Sequence, residues 1–152
     1  MMPRAARVDA GMVPTSVDFS TFDILVVEDN LFLRKLINEI LTSFGVGRIR
    51  QAGSADAALQ EIRQQPPDMI FCDWVMPGSG GLMLLRALRR DNTGRYPRIP
   101  VIVISGHATD DHVAQAIGEG ADSYVVKPFT VNTVMQHVLK VIAKDEGAFY
   151  LE

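Results

Sequence analysis

The sequence predicts an α/β domain: an open, doubly wound, five-stranded parallel sheet with helices on both faces. Short β-branched runs alternate with longer stretches of helical period, and Gly, Pro, Ser or Asp stands at the switches. Three of the five short runs are nearly all apolar, which suits parallel strands covered on both sides. At 152 residues, 47% hydrophobic and 22% charged, the chain can bury one core of ordinary domain size and no second.

In chain order, Asp23 to Val27 (DILVV) reads as the first strand. Leu31 to Phe44 follows as a helix, because Leu33, Leu36, Ile37, Ile40, Leu41 and Phe44 recur on one face. Arg48 to Ala52 is the second strand, and Ser54 stands where an N-cap belongs before a helix over Ala55 to Gln65. Met69 to Cys72 is the third strand and Gly81 to Asp91 its helix. Val101 to Ile104 is the fourth strand, followed by a helix from Asp110 to Glu119. Ser123 to Val126 is the fifth strand, and Thr130 caps a last helix over Val131 to Lys144. Residues 1–22 read as a flexible arm, 23–144 as the folded domain, and 145–152 as a tail whose Phe149, Tyr150 and Leu151 lie beyond Gly147.

Composition removes several function classes. The net charge of −3, without a Lys/Arg run to neutralise a row of phosphates, argues against nucleic acid as a direct ligand. No apolar run approaches the roughly 20 residues that span a bilayer, so no membrane partner is expected. Asp9, Gly11 and Pro14 interrupt the amino end before the apolar stretch of a signal peptide forms. The single cysteine, Cys72, forms no internal disulfide and belongs to no multi-cysteine metal site; a core position and a cytoplasmic location fit it.

Function is sought at the carboxyl ends of the strands, where open parallel sheets bind ligands. The first strand ends in Glu28-Asp29, the third in Asp73, the fourth in Ser105-Gly106 and the fifth in Lys127-Pro128. Asp73 ends an apolar run, and a buried charge is costly unless it is paired, hydrogen-bonded or metal-bound. Three clustered carboxylates repel one another, and a divalent cation resolves this. Magnesium suits such a site, since it takes one or two carboxylates, waters and phosphate oxygens, with manganese as a substitute. Asp73 then acts as a nucleophile toward phosphorus, Lys127 stabilises charge on the phosphoryl oxygens, and Ser105 donates its hydroxyl to one of them.

The segments VVEDN, FCDWVMP, VIVISG and YVVKPF resemble the receiver domains of bacterial two-component response regulators, over about residues 21–144. The resemblance implies a flavodoxin-like strand order 2-1-3-4-5. It implies that Asp73 is the phosphoacceptor, Asp29 a direct magnesium ligand, Glu28 a ligand acting largely through water, and the carbonyl of Val75 a further ligand. It also implies phosphoryl contacts from Ser105 and Lys127, a switch role for Ser105 with the aromatic Tyr124, and a cis bond at Lys127-Pro128. Departures from the pattern are the apolar Val75 two residues after the acceptor, His107 two residues after Ser105, and Gly80 where an acidic residue is common. The loop Gly78 to Gly81 is no P-loop, since it lacks the GK[ST] ending.

The expected function is that of a stand-alone receiver. It takes a phosphoryl group from a histidine kinase or histidine phosphotransfer protein and signals to a downstream protein. It acts as a monomer or a phosphorylation-dependent dimer, and is no enzyme beyond its own phosphorylation and dephosphorylation. A chemotaxis-type regulator, a relay intermediate and a phosphate sink all fit. An aspartyl-nucleophile phosphohydrolase is a rival of another class, disfavoured because Val75 stands where its general acid belongs. A flavin carrier is disfavoured because the carboxylates repel a flavin phosphate.

Overall fold

The computed structural model describes residues 17–76, 80–94, 98–106 and 109–146. The chain alternates strand and helix five times: β1 (Asp23–Val27), α1 (Leu31–Ser43), β2 (Arg48–Ala52), α2 (Ala55–Gln64), β3 (Met69–Asp73), α3 (Gly80–Arg89), β4 (Val101–Ser105), α4 (Asp110–Gly118), β5 (Ser123–Val126) and α5 (Val131–Glu146). The strands form one parallel sheet in the order β2-β1-β3-β4-β5. Each expected element is present; β1, β2 and β5 have the expected ends, and the others differ by one or two residues.

Burial separates central strands from edges. Every residue of β1, β3 and β4 is buried, whereas β2 and β5, at the two edges, alternate or expose part of their length. The three apolar runs are therefore the middle of the sheet, where helices cover both faces. Because successive side chains point to opposite faces, each central strand feeds two cores. Ile24, Val26, Met69, Phe71, Ile102 and Ile104 pack with α1 and α5. Leu25, Val27, Ile70, Cys72, Val101 and Val103 pack with α2, α3 and α4.

Helix boundaries follow from their caps. Asn30, Ser54 and Thr109 each accept a backbone N–H from three residues on with the side-chain oxygen, starting α1, α2 and α4. Thr130 does the same for Thr133 at 3.0 Å ahead of α5. Of the stripe expected on α1, Ile37, Ile40 and Leu41 are buried, Leu33 and Phe44 are partly buried, and Leu36 is exposed.

The amino-terminal reading needs correction. Residues 17–22 are not a free arm: Phe19 and Phe22 are buried in the α1/α5 core with ring centroids 5.0 Å apart, and Phe19 also meets Phe44. The backbone is tied down as well, since the Phe19 carbonyl accepts from Phe22 and Gly47, and the Phe22 carbonyl from Arg48. A Cβ at Gly47 would fall 1.9 Å from the Ser20 carbonyl oxygen, so only glycine lets this strap lie flat. At the other end, α5 runs two residues past Lys144. Residues 1–16, the tail from Gly147, Gly78 and His107 lie outside the described residues.

At the amino ends of the strands, arginines of α3 clasp the turn between α4 and β5. Arg89 donates to the Gly120 carbonyl at 3.0 Å and to Asp122 at 3.1 Å, Arg86 to Glu119 at 2.8 Å, and Arg98 reaches Asp122 at 2.8 Å. Asp122 also accepts the N–H of Val101 at 2.8 Å, which joins the clasp to β4.

Phe19→Ala should cost about 3 to 5 kcal/mol, since it empties a buried aromatic site. Urea unfolding of the variant beside the exposed-site control Ser20→Ala measures it. Equal midpoints would show that the strap adds nothing to the fold.

Candidate functional site

The parallel register brings the strand ends level. Val27 of β1 pairs with Cys72, and Asp73 of β3 with Ile104, so Ser105 lies one residue beyond the partner of Asp73. Ser105 in turn pairs with Val126, and its carbonyl accepts the Lys127 N–H at 2.8 Å. Glu28, Asp73, Ser105 and Lys127 therefore stand in one row across β1, β3, β4 and β5. The row straddles β1 and β3, where the chain reverses its direction across the sheet.

Each position is fixed by backbone bonding. The Glu28 N–H donates to the Ala52 carbonyl at 3.0 Å, extending the β1–β2 ladder by a residue. Asn30 then caps α1 through Leu33 and returns its own N–H to Glu28 Oε2 at 3.2 Å. Beyond Asp73, Trp74 donates to the Ile104 carbonyl at 3.0 Å, and Gly81 to the Trp74 carbonyl at 3.2 Å. The first turn of α3 thereby presses on the Asp73-Trp74 segment. A Cβ on Gly81 would come within 2.6 Å of the Asp73 carbonyl oxygen, so no larger residue fits there. The Lys127-Pro128 peptide is cis.

Glu28, Asp29 and Asp73 each offer a carboxylate oxygen, all within 4.8 Å of one another. Glu28 and Asp73 are buried and Asp29 is exposed, so the cluster opens to solvent on the Asp29 side. Lys127 Nζ sits 3.2 Å from Asp73 Oδ1 and 3.3 Å from Glu28 Oε1. One ammonium against three carboxylates leaves negative charge over. Burial pushes the Glu28 carboxyl up to about 7; the Asn30 N–H opposes the rise, Asp73 adds to it and Lys127 counters it. A buried acid held this far above its ordinary range marks a place where a second cation is favoured. All-oxygen donors of this kind fit a hard divalent ion.

The remaining expected residues are accounted for. Ser105 is buried at the end of β4. Tyr124 pairs with Val103, is partly buried and packs on the α2/α3/α4 core. Val75 is 55% exposed beside the cluster. Sequence reading missed Asn30, Gly81 and Arg34. Asn30 carried a signal, an N-cap residue directly before an apolar helical run. Gly81 and Arg34 act on neighbours that only the folded chain supplies.

Residues 24–139 match the family model for the response regulator receiver domain. The chain belongs to that family. Its receiver domain is similar to the chemotaxis protein CheY of Pseudomonas aeruginosa, with 32% identity over 124 residues, 82% of this chain and 98% of that protein. The receiver domain of NtrX from Brucella abortus superposes with a TM-score of 0.71 at 34% identity, covering 79% of this chain and 98% of that one. The receiver domain of the histidine kinase CKI1 from Arabidopsis thaliana, in complex with Mg2+ and BeF3−, gives a TM-score of 0.73 at 26% identity over 81% and 91% of the two chains. Among the described residues, no helix is long and apolar enough to cross a membrane.

The Glu28 shift makes the cation-free receiver pH-sensitive. Its folded pKa lies above the unfolded value of 4.5, so protonated Glu28 favours the fold below that value, and the contribution is lost as pH rises through about 7. With a chelator present, the melting temperature should fall from about pH 5 to about pH 8, and fall less in Glu28→Gln. Thermal melts across that range test this; equally steep profiles for the two proteins would contradict it.

Proposed function

We propose that this receiver accepts a phosphoryl group on Asp73 from a phosphohistidine of a histidine kinase or histidine phosphotransfer protein, in a magnesium-dependent reaction. The observation that carries the reading is the Lys127 ammonium 3.2 Å from Asp73 Oδ1, inside a carboxylate cluster in need of a cation. A carboxylate oxygen of Asp73 forms the bond to phosphorus as the phosphorus–nitrogen bond breaks, and the electron pair returns to the donor imidazole. Magnesium, when bound by Asp29, Asp73 and the Val75 carbonyl, with Glu28 acting through water, supplies charge that offsets the carboxylates and the phosphoryl oxygens. The complex of the CKI1 receiver with Mg2+ and BeF3− supports this assignment by similarity.

Lys127 neutralises a phosphoryl oxygen once it shifts from its bridge between Asp73 and Glu28. Ser105 donates its hydroxyl to another oxygen. Drawing Ser105 toward the phosphoryl group frees space beside β4 for Tyr124, which pairs with β4 from β5. That movement remodels the surface of α4, β5 and α5, where Ile117, Val126, Val131 and Leu139 are exposed. A downstream protein, or a second receiver, binds there. The protein works in the cytoplasm and turns over no substrate beyond its own aspartyl phosphate.

Acetyl phosphate with magnesium should add one acid-labile phosphoryl group to the wild type and none to Asp73→Asn. Intact-mass measurement decides it, and equal labelling of both proteins would refute the assignment. Loss of the group should be slow, because the exposed Val75 side chain has no polar atom to hold an attacking water. Val75→Asn should hydrolyse several-fold faster, followed as phosphate release; an equal or slower rate would contradict the reasoning.

A further inference from the structure

We propose that Arg34 is a positioning residue for the cation site, acting from behind the acidic loop through the Glu28 carbonyl, with Gly53 as the gap that admits it. The inference rests on the magnesium reading above. Arg34 lies in the first turns of α1, four residues after its N-cap, and its side chain turns back toward the loop that precedes the helix. Nη1 donates to the Glu28 carbonyl at 2.8 Å, and Nε donates to Gln51 Oε1 at 3.1 Å. Gln51 belongs to β2 and pairs with Val26 of β1, so the guanidinium staples the β1–α1 loop to the neighbouring strand.

The Glu28 peptide is thus held from both sides, its N–H by Ala52 and its C=O by Arg34. Asn30, two residues on, is fixed as the cap of α1. Asp29 lies between these anchors, its side chain exposed on the open side of the cluster. Repulsion among Glu28, Asp29 and Asp73 works to spread this loop, and the staple opposes it without supplying a ligand. A Cβ at Gly53 would stand 3.1 Å from Arg34 Nη1, closer than the guanidinium comfortably allows. The missing side chain at Gly53 therefore has a use at the site.

Two effects of Arg34 on the affinity for a cation have opposite signs, which makes the proposal decidable. As a positive charge near the cluster, Arg34 repels a second cation, so its removal should tighten binding. As a staple, it holds carboxylates at coordinating distance, so its removal should weaken binding. Among the described residues Arg34 forms no ion pair with a carboxylate; both of its bonds go to neutral oxygens, and positioning outweighs charge. Groups that orient ligands without touching the metal are commonly worth about tenfold or more in affinity.

The test is a magnesium titration of the purified protein. It is followed by calorimetry and by fluorescence of Trp74, the sole tryptophan and the neighbour of Asp73. Arg34→Ala should bind magnesium about tenfold more weakly with an unchanged far-UV spectrum. Arg34→Lys should also bind weakly, since an ammonium keeps the charge but cannot reach both acceptors in the same fork. Gly53→Ala should show a smaller loss in the same direction, and none beyond the Arg34→Ala loss when the two are combined. Unchanged or tighter binding by Arg34→Ala, or additive losses in the double variant, would overturn the proposal. If Arg34→Ala does not fold, Gly53→Ala decides alone. A wild type that shows no saturable binding overturns the magnesium reading and this inference together, whereas normal wild-type binding with unaffected variants overturns only the inference.

Discussion

A single ammonium shared between two buried carboxylates organises this molecule. Lys127, the first residue after β5, reaches Asp73 on β3 and Glu28 after β1, crossing the end of β4 on the way. Removing charges from water costs several kcal/mol each, and one pairing does not balance two acids. Everything around the site serves to hold that imbalance in place. The central strands are buried throughout, the Glu28 and Asp73 backbones are bonded on their flanks, and Gly81 lets α3 close over the Asp73-Trp74 segment. The excess of carboxylate charge is what makes an all-oxygen site of this kind suit a divalent cation.

The path from sequence to site was short where one strand carried the information and long where two elements shared it. DILVV, MIFC and VIVI announced strands of the sheet interior because burial on both faces leaves few polar positions along a strand. The carboxyl-end residues Glu28, Asp29, Asp73, Ser105 and Lys127 could then be read off the strand ends. The cluster and the lysine contacts fall where that reading put them. The strap at residues 17–22 was not legible. Phe19 and Phe22 are spaced by Ser and Thr, follow a Pro- and Gly-broken segment, and show no period. Their burial depends on contact with Phe44 and on the close approach that Gly47 permits. Arg34 was hidden for a related reason: on a helix wheel it is one more solvated cation. Its acceptors, Gln51 of β2 and the Glu28 carbonyl before α1, come together only in the folded chain.

The clasp at the far end of the sheet bears on how α4 can move. Among the helices, α4 has the lightest stake in the core, with Ala116 its single buried residue. Its C-cap, Glu119, and the residues after it are gripped by Arg86 and Arg89 through Glu119, Gly120 and Asp122, and Asp122 is bonded to the start of β4. Its first turn comes after Ser105, at the opposite end, where the carboxylate cluster lies. A rod pinned at one end and lightly packed along its length tilts more readily than it slides. The arginine clasp would then serve as a fulcrum: a displacement beside Ser105 would become an angular sweep of the exposed α4 surface, with the fixed end setting its axis.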